Sequence, residues 1–89
     1  MKTQDYRQAR ATGRALITLL ELGCDQAIPL VTVYGWVGAE TSQQLRLRTD
    51  ALICATLAEL VAHNMSEFIL AGDFNIEVDR LPTVQDLMA

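Results

Sequence analysis

Cysteine, proline, aromatic residues and long apolar runs are all scarce in this 89-residue chain, and each scarcity removes a class of protein. Cys24 and Cys54 lie thirty positions apart, with no second cysteine or histidine cluster beside either. Zinc-ligand spacing and a redox Cys-x-x-Cys are therefore excluded. A small secreted domain held by disulfides carries more cysteines than two, so the expectation is two reduced thiols in an intracellular protein. No window approaches the roughly 18 uninterrupted apolar residues of a membrane span, and the chain reads as soluble. The opening MKTQDYRQARATGRALITLLELGC has basic residues ahead of an apolar segment ending in Gly-Cys, the order of a secretion signal. Thr18 and Glu21 interrupt that segment and a long polar lead precedes it, so the signal reading fails.

What is present is the material of a core. Apolar residues make up 51% and charged residues 20%, far from the low-hydrophobicity, high-charge signature of disorder. One small domain is the most that this length supports. The net charge of −4 is unevenly spread: Lys2, Arg7, Arg10 and Arg14 against Asp5 make the first fourteen residues +3 and leave the remainder −7. Residues 1–13 read as a polar, solvated lead with a loosely held end, and charge alone makes no case for nucleic acid.

Three apolar segments follow. Arg14 to Leu22, bounded by Gly13 and Gly23, is short and alternating enough for a strand, and Gly23-Cys24-Asp25-Gln26 is turn chemistry. Ile28 to Trp36 is rich in β-branched and aromatic residues, with Pro29 near its start, and reads as a second strand forming an antiparallel hairpin with the first. From Ser42 to His63, apolar positions Leu45, Leu52, Ile53, Thr56, Leu57, Leu60 and Val61 recur every three or four residues, predicting a long amphipathic helix capped by Thr41 or Ser42. His63 falls at its C-terminus, where a capping role outweighs a catalytic one. Phe68 to Gly72 is a continuous apolar run of the kind that forms a strand buried on both faces. Strand, helix and strand thus follow in the order of a βαβ unit, and a site is expected at the carboxyl end of the last strand.

That end reads Gly-Asp-Phe-Asn, Gly72 to Asn75. Gly72 permits a sharp turn and a close backbone approach, Asp73 can accept a proton or hold water and metal, and Asn75 offers an amide N–H to a phosphate oxygen. The same residues also cap strands through their own side-chain hydrogen bonds, so the tetrad alone proves little. A calcium loop on Asp73, Asn75, Glu77 and Asp79 fails, because Val78 stands where glycine is needed and Val84 where a bidentate glutamate is needed.

Taken together, LVTVYG ahead of a helix and then FILAGDFN is similar to the middle of the endonuclease/exonuclease/phosphatase superfamily, the DNase I-like fold. The resemblance covers about 14–87. It implies an α/β fold of which this chain holds a partial sandwich, namely the hairpin, the long helix and the strand ending in Gly-Asp-Phe-Asn. It also implies magnesium-assisted hydrolysis of a phosphate ester, nuclease-like, with nucleic acid or another phosphoester as substrate. Carried over residue by residue, Asp73 orients or deprotonates the attacking water and touches the metal at most indirectly, Asn75 binds the phosphoryl oxygens, and Tyr34 contacts the phosphate side. The pattern departs from the family after Tyr34, where Gly35, Trp36 and Val37 replace a loop that often carries proline. A glutamate motif upstream and an aspartate–histidine pair downstream have no counterpart here: Glu21 lies on the wrong strand and His63 precedes Asp73. Domains of this family are about two to three times as long as this chain, beyond the ~150 residues of an average domain. The expectation is therefore a central segment, inactive alone, binding magnesium weakly or not at all, with an uncovered sheet face open to self-association. The alternatives are a non-catalytic interaction module on the same scaffold, or an unrelated small α/β domain with an accidental tetrad.

Overall fold

The computed structural model describes residues 3–88, which form three strands, three α-helices and one 3-10 turn. The order along the chain is α1 (Gln4–Ala11), β1 (Ala15–Gly23), β2 (Gln26–Tyr34), α2 (Gln43–Ala62), β3 (Ile69–Asp73), the 3-10 turn Val78–Arg80, and α3 (Pro82–Met88). The strands make one mixed sheet in the order β1-β2-β3, antiparallel between β1 and β2 and parallel between β2 and β3. The molecule is a small α/β fold.

The hairpin forms as its sequence directs. Gly23 pairs with Gln26, leaving Cys24 and Asp25 as a two-residue loop with φ of 52° and 60°. Positive φ at both central positions is the turn whose twist matches that of the flanking strands. Pro29 sits in the middle strand, a place that normally excludes proline. Tyr34 donates its N–H to Arg14 O, so by alternation the N–H of odd positions in β2 points toward β3, and the ladder to β3 begins only at Leu30. Pro29 therefore lacks a donor where no acceptor is waiting.

α2 is capped at its start by Ser42, whose Oγ accepts from Leu45 N at 3.3 Å, and ends at His63. It crosses one face of the sheet, joining Val31 and Val33 of β2 to Leu52, Ile53, Ala55 and Leu60; Ala9 of α1, Leu81 after the 3-10 turn and Val84 of α3 close the core. Val31, Val33, Ile53 and Leu81 are fully buried.

Two expectations are corrected. Residues 4–11 are not a loose lead: they form α1, with Tyr6 and Ala9 buried and the Tyr6 hydroxyl accepting the Ile17 N–H of β1 at 2.9 Å. The signal was Thr3, whose side chain caps the helix. β3 is not interior: it is an edge strand with Ile69, Ala71 and Asp73 exposed. Its apolar run reflects strand propensity without full burial. Leu16 and Leu20 of β1 face away from α2, with Thr32, Leu30 and Ile28 of β2 and Ile69 of β3 beside them through the ladders. This second sheet face has no covering element among the described residues, and Leu16, Leu20 and Ile69 are each about 40% exposed.

Candidate functional site

β2 and β3 run parallel, so their carboxyl ends lie side by side. Tyr34 and Asp73 are partners in the last rung of the ladder, and partners in a ladder project from the same face. The phenol and the carboxylate thus share the open face at one rim of the sheet, and both residues are exposed. The contact continues one residue further, where Gly35 N donates to Asp73 O at 2.6 Å.

Two glycines make that closeness possible. A Cβ on Gly35 would strike the carbonyl of Phe74, and one on Gly72, whose φ is +139°, would strike the carbonyl of Val33. A side chain at either position would push the two strand ends apart.

Asn75 is fixed by three features. Its φ is +55°, a left-handed conformation that asparagine tolerates better than most residues. Its backbone N–H donates to Asp73 Oδ1 at 3.1 Å, the turn that Asp favours two residues ahead. Its Nδ2 donates to Gly35 O at 3.1 Å, across forty residues of chain. One amide hydrogen is therefore committed to tying the β3 loop to the end of β2, leaving the second hydrogen and Oδ1 for a ligand.

Gly35 O also accepts from Arg14 Nη1 at 2.9 Å. The Arg14 guanidinium lies 3.8 Å from the centre of the Trp36 ring, and that of Arg48 lies 5.9 Å from it. Trp36 is held in turn by its backbone N–H donating to Thr49 Oγ1 of α2 at 3.0 Å, with Thr49 fully buried. Among the described residues no carboxylate lies within ion-pair distance of Arg14 or Arg48. Counting Arg14 only as one of the basic charges of the first fourteen residues missed this placement. The hairpin contained the signal, since the residue just before β1 must lie beside the residue just after β2.

The structure thus brings Tyr34, Asp73 and Asn75 to one rim and adds Arg14 and Trp36 beside them. His63 is elsewhere, at the far end of α2 with its Nε2 3.3 Å from Glu59 Oε2. Magnesium takes near-octahedral oxygen coordination, commonly one or two carboxylates completed by water and phosphate. Here the ladder brings one carboxylate, Asp73, to the rim beside Tyr34, with one oxygen engaged by Asn75, and no group of three or more His, Cys, Asp or Glu side chains suited to a metal occurs among the described residues. These side chains by themselves are short of a magnesium cage. What they offer is an acceptor for a proton, an amide, a phenol and, through Gly35 O, the Arg14 guanidinium around one exposed edge.

Comparison with protein-family models, with curated proteins and with solved structures found no match to this chain.

Proposed function

We propose that the chain carries the phosphate-facing part of a metal-dependent phosphodiesterase site of the endonuclease/exonuclease/phosphatase kind. Asp73 is its water-orienting carboxylate, Asn75 its phosphoryl-binding amide and Tyr34 its phenol. The observation that carries this reading is the rung shared by Tyr34 and Asp73, at parallel strand ends locked by the Asn75–Gly35 bond. A reactive carboxylate and a hydrogen-bonding amide are then held at fixed separation on a rigid edge, as a preorganised phosphate site requires. In this reading the glutamate and the aspartate–histidine pair come from chain outside these 89 residues. The segment alone does not turn over, because members of a catalytic set contribute little once their partners are gone.

One titration tests both parts. With magnesium and dimethyl phosphate added to the isotopically labelled chain, amide signals of Gly35, Asp73 and Asn75 are expected to move together, and the response is expected to vanish in Asn75→Ala. Hydrolysis of a chromogenic phosphodiester stays at the level of Asp73→Ala. Shifts scattered away from the rim, or none at millimolar phosphodiester, sink the site; turnover above the Asp73→Ala control sinks only the claim of inactivity.

A second reading, an interaction module that keeps the scaffold without the chemistry, is favoured by the open apolar sheet face. It predicts no response at the rim to phosphodiester and binding confined to the Leu16, Leu20 and Ile69 face.

A further inference from the structure

α2 has apolar residues on both sides. The side toward the sheet buries Leu52, Ile53, Thr56 and Leu60, while the opposite side carries Leu47, Ala51, Cys54, Ala58 and Val61, all exposed. Their spacing alternates four, three, four, three, the seam along which one helix packs on another. Leu47 is 52% and Val61 73% exposed, so the two largest members stand free. A helix with an apolar stripe on each of two opposite sides asks for cover on both. Beside the seam runs a groove of about 500 Å³ between α1 and α2, floored by Ala51, Cys54 and Ala58 and walled by Asp5 and Thr12.

The order of side-chain sizes identifies the occupant. From Leu47 through Ala51, Cys54 and Ala58 to Val61 the seam is large, small, small, small, large, and it reads the same way from either end. A two-fold contact needs such self-complementarity, since each residue meets its symmetry mate. We propose that this face of α2 docks a second copy of the chain, antiparallel, about a two-fold axis near Cys54. The small residues then lie where the helices cross and the backbones approach most closely, and Leu47 of one copy meets Val61 of the other.

Charge supports the same pairing. α1 runs antiparallel to α2, because Thr3 N bonds Glu59 Oε1 near one end while Arg14 and Arg48 share Trp36 near the other. The two-fold axis keeps α1 of both copies on one side of the seam. It therefore brings Arg48 of each copy to the level of Leu60 in its mate, within one helical turn of Ala58, beside which Asp5 lines the groove. Neither Arg48 nor Asp5 has an ion-pair partner among the described residues. Two symmetric Arg48–Asp5 contacts would flank the seam.

From Leu47 to Val61 the seam is about 21 Å long at 1.5 Å per residue. One helix face and the α1 wall fall at the small end of specific interfaces, below roughly 1,200 Å² in total, the class of weak and transient contacts.

Sedimentation equilibrium of the reduced chain between about 10 and 500 µM is expected to show mass rising from monomer to dimer. Ala51→Glu with Ala58→Glu, two exposed positions refilled with a good helix former, keeps the circular dichroism spectrum and stays monomeric. Arg48→Asp weakens the dimer about tenfold and Asp5→Arg added to it restores most of the loss, a recovery that a general effect of net charge does not give. In Cys24→Ser, mild oxidation cross-links two chains through Cys54. A monomer at every concentration overturns the proposal. So does a dimer that survives the double glutamate variant, or one that is lost on Leu20→Lys at the open sheet face while the seam is intact.

Discussion

At Gly35, one missing side chain decides how close two strand ends can come. Its N–H reaches Asp73 O, its carbonyl collects Arg14 and Asn75, and the space where a Cβ would stand is filled by the Phe74 carbonyl. Gly35→Ala is expected to destabilise the fold by about 2–4 kcal/mol in urea unfolding, the range of backbone clashes that cannot relax. Asn75→Ala loses a bond and keeps the left-handed φ without the residue that tolerates it, for about 1–2 kcal/mol. Asn75→Gly keeps the φ at no cost and loses only the bond, so it is expected to fall between the wild type and Asn75→Ala. A larger loss in Asn75→Gly than in Asn75→Ala would mean that the backbone conformation is not what asparagine supplies there. Tyr34, Asp73 and Asn75 were legible as a set because their residue types and spacing survive without coordinates. Arg14 and Trp36 were not, because their relation to the rim exists only after the hairpin is closed.

Elements differed in legibility for physical reasons. The hairpin, α2 and its Ser42 cap followed from period and turn chemistry, and their ends fell within two residues of the expected ones. β3 was assigned as a strand correctly and to the wrong place in the sheet, since an apolar run reports strand propensity and says nothing of how many neighbours it will have. α1 was hidden because its eight residues, five of them polar or charged, depend on Tyr6, Ala9 and a cap for their helix, a signal weaker than a hydrophobic stripe. Its anchor makes a pH-dependent prediction. Glu59 is buried, and burial raises its carboxyl pKa, but the Thr3 backbone and hydroxyl bonds and the His63 charge outweigh this and hold it below its ordinary value. A carboxyl depressed in the folded state adds stability above its unfolded pKa and loses it as pH falls through the folded one. The melting temperature is therefore expected to drop on acidification below the ordinary glutamate range, and Glu59→Gln is expected to flatten that part of the profile. The hairpin makes another prediction: replacing Cys24-Asp25 by Asn-Gly, which suits positive φ at both positions, should stabilise the chain by about 0.5–1 kcal/mol in the same unfolding assay.

For the whole molecule, one face of the sheet is packed and the other is not. A single layer of helix over three strands buries the minimum of a core, and Leu16, Leu20 and Ile69 remain available to anything apolar. The chain is expected to bind a hydrophobic dye while folded. Leu16→Thr with Leu20→Thr is expected to remove most of that fluorescence while lowering the melting temperature little, since neither leucine belongs to the buried cluster. A large loss of stability in that variant would show that the face is already covered in solution. The unequal faces also account for what the amino-acid pattern left ambiguous. Alternation marks β1 as two-sided without saying which side meets α2, and that choice is made by Val31 and Val33 on the neighbouring strand.

Trp36 is the chain's sole indole, and it stands where β2, α2 and the residue before β1 meet. Its emission therefore acts as a spectroscopic gauge of a single locus. Any event that lifts Arg14 from the ring or parts Trp36 from Thr49 changes the colour or yield of the only tryptophan light the protein emits, so occupancy of the neighbouring rim can be followed in unlabelled material.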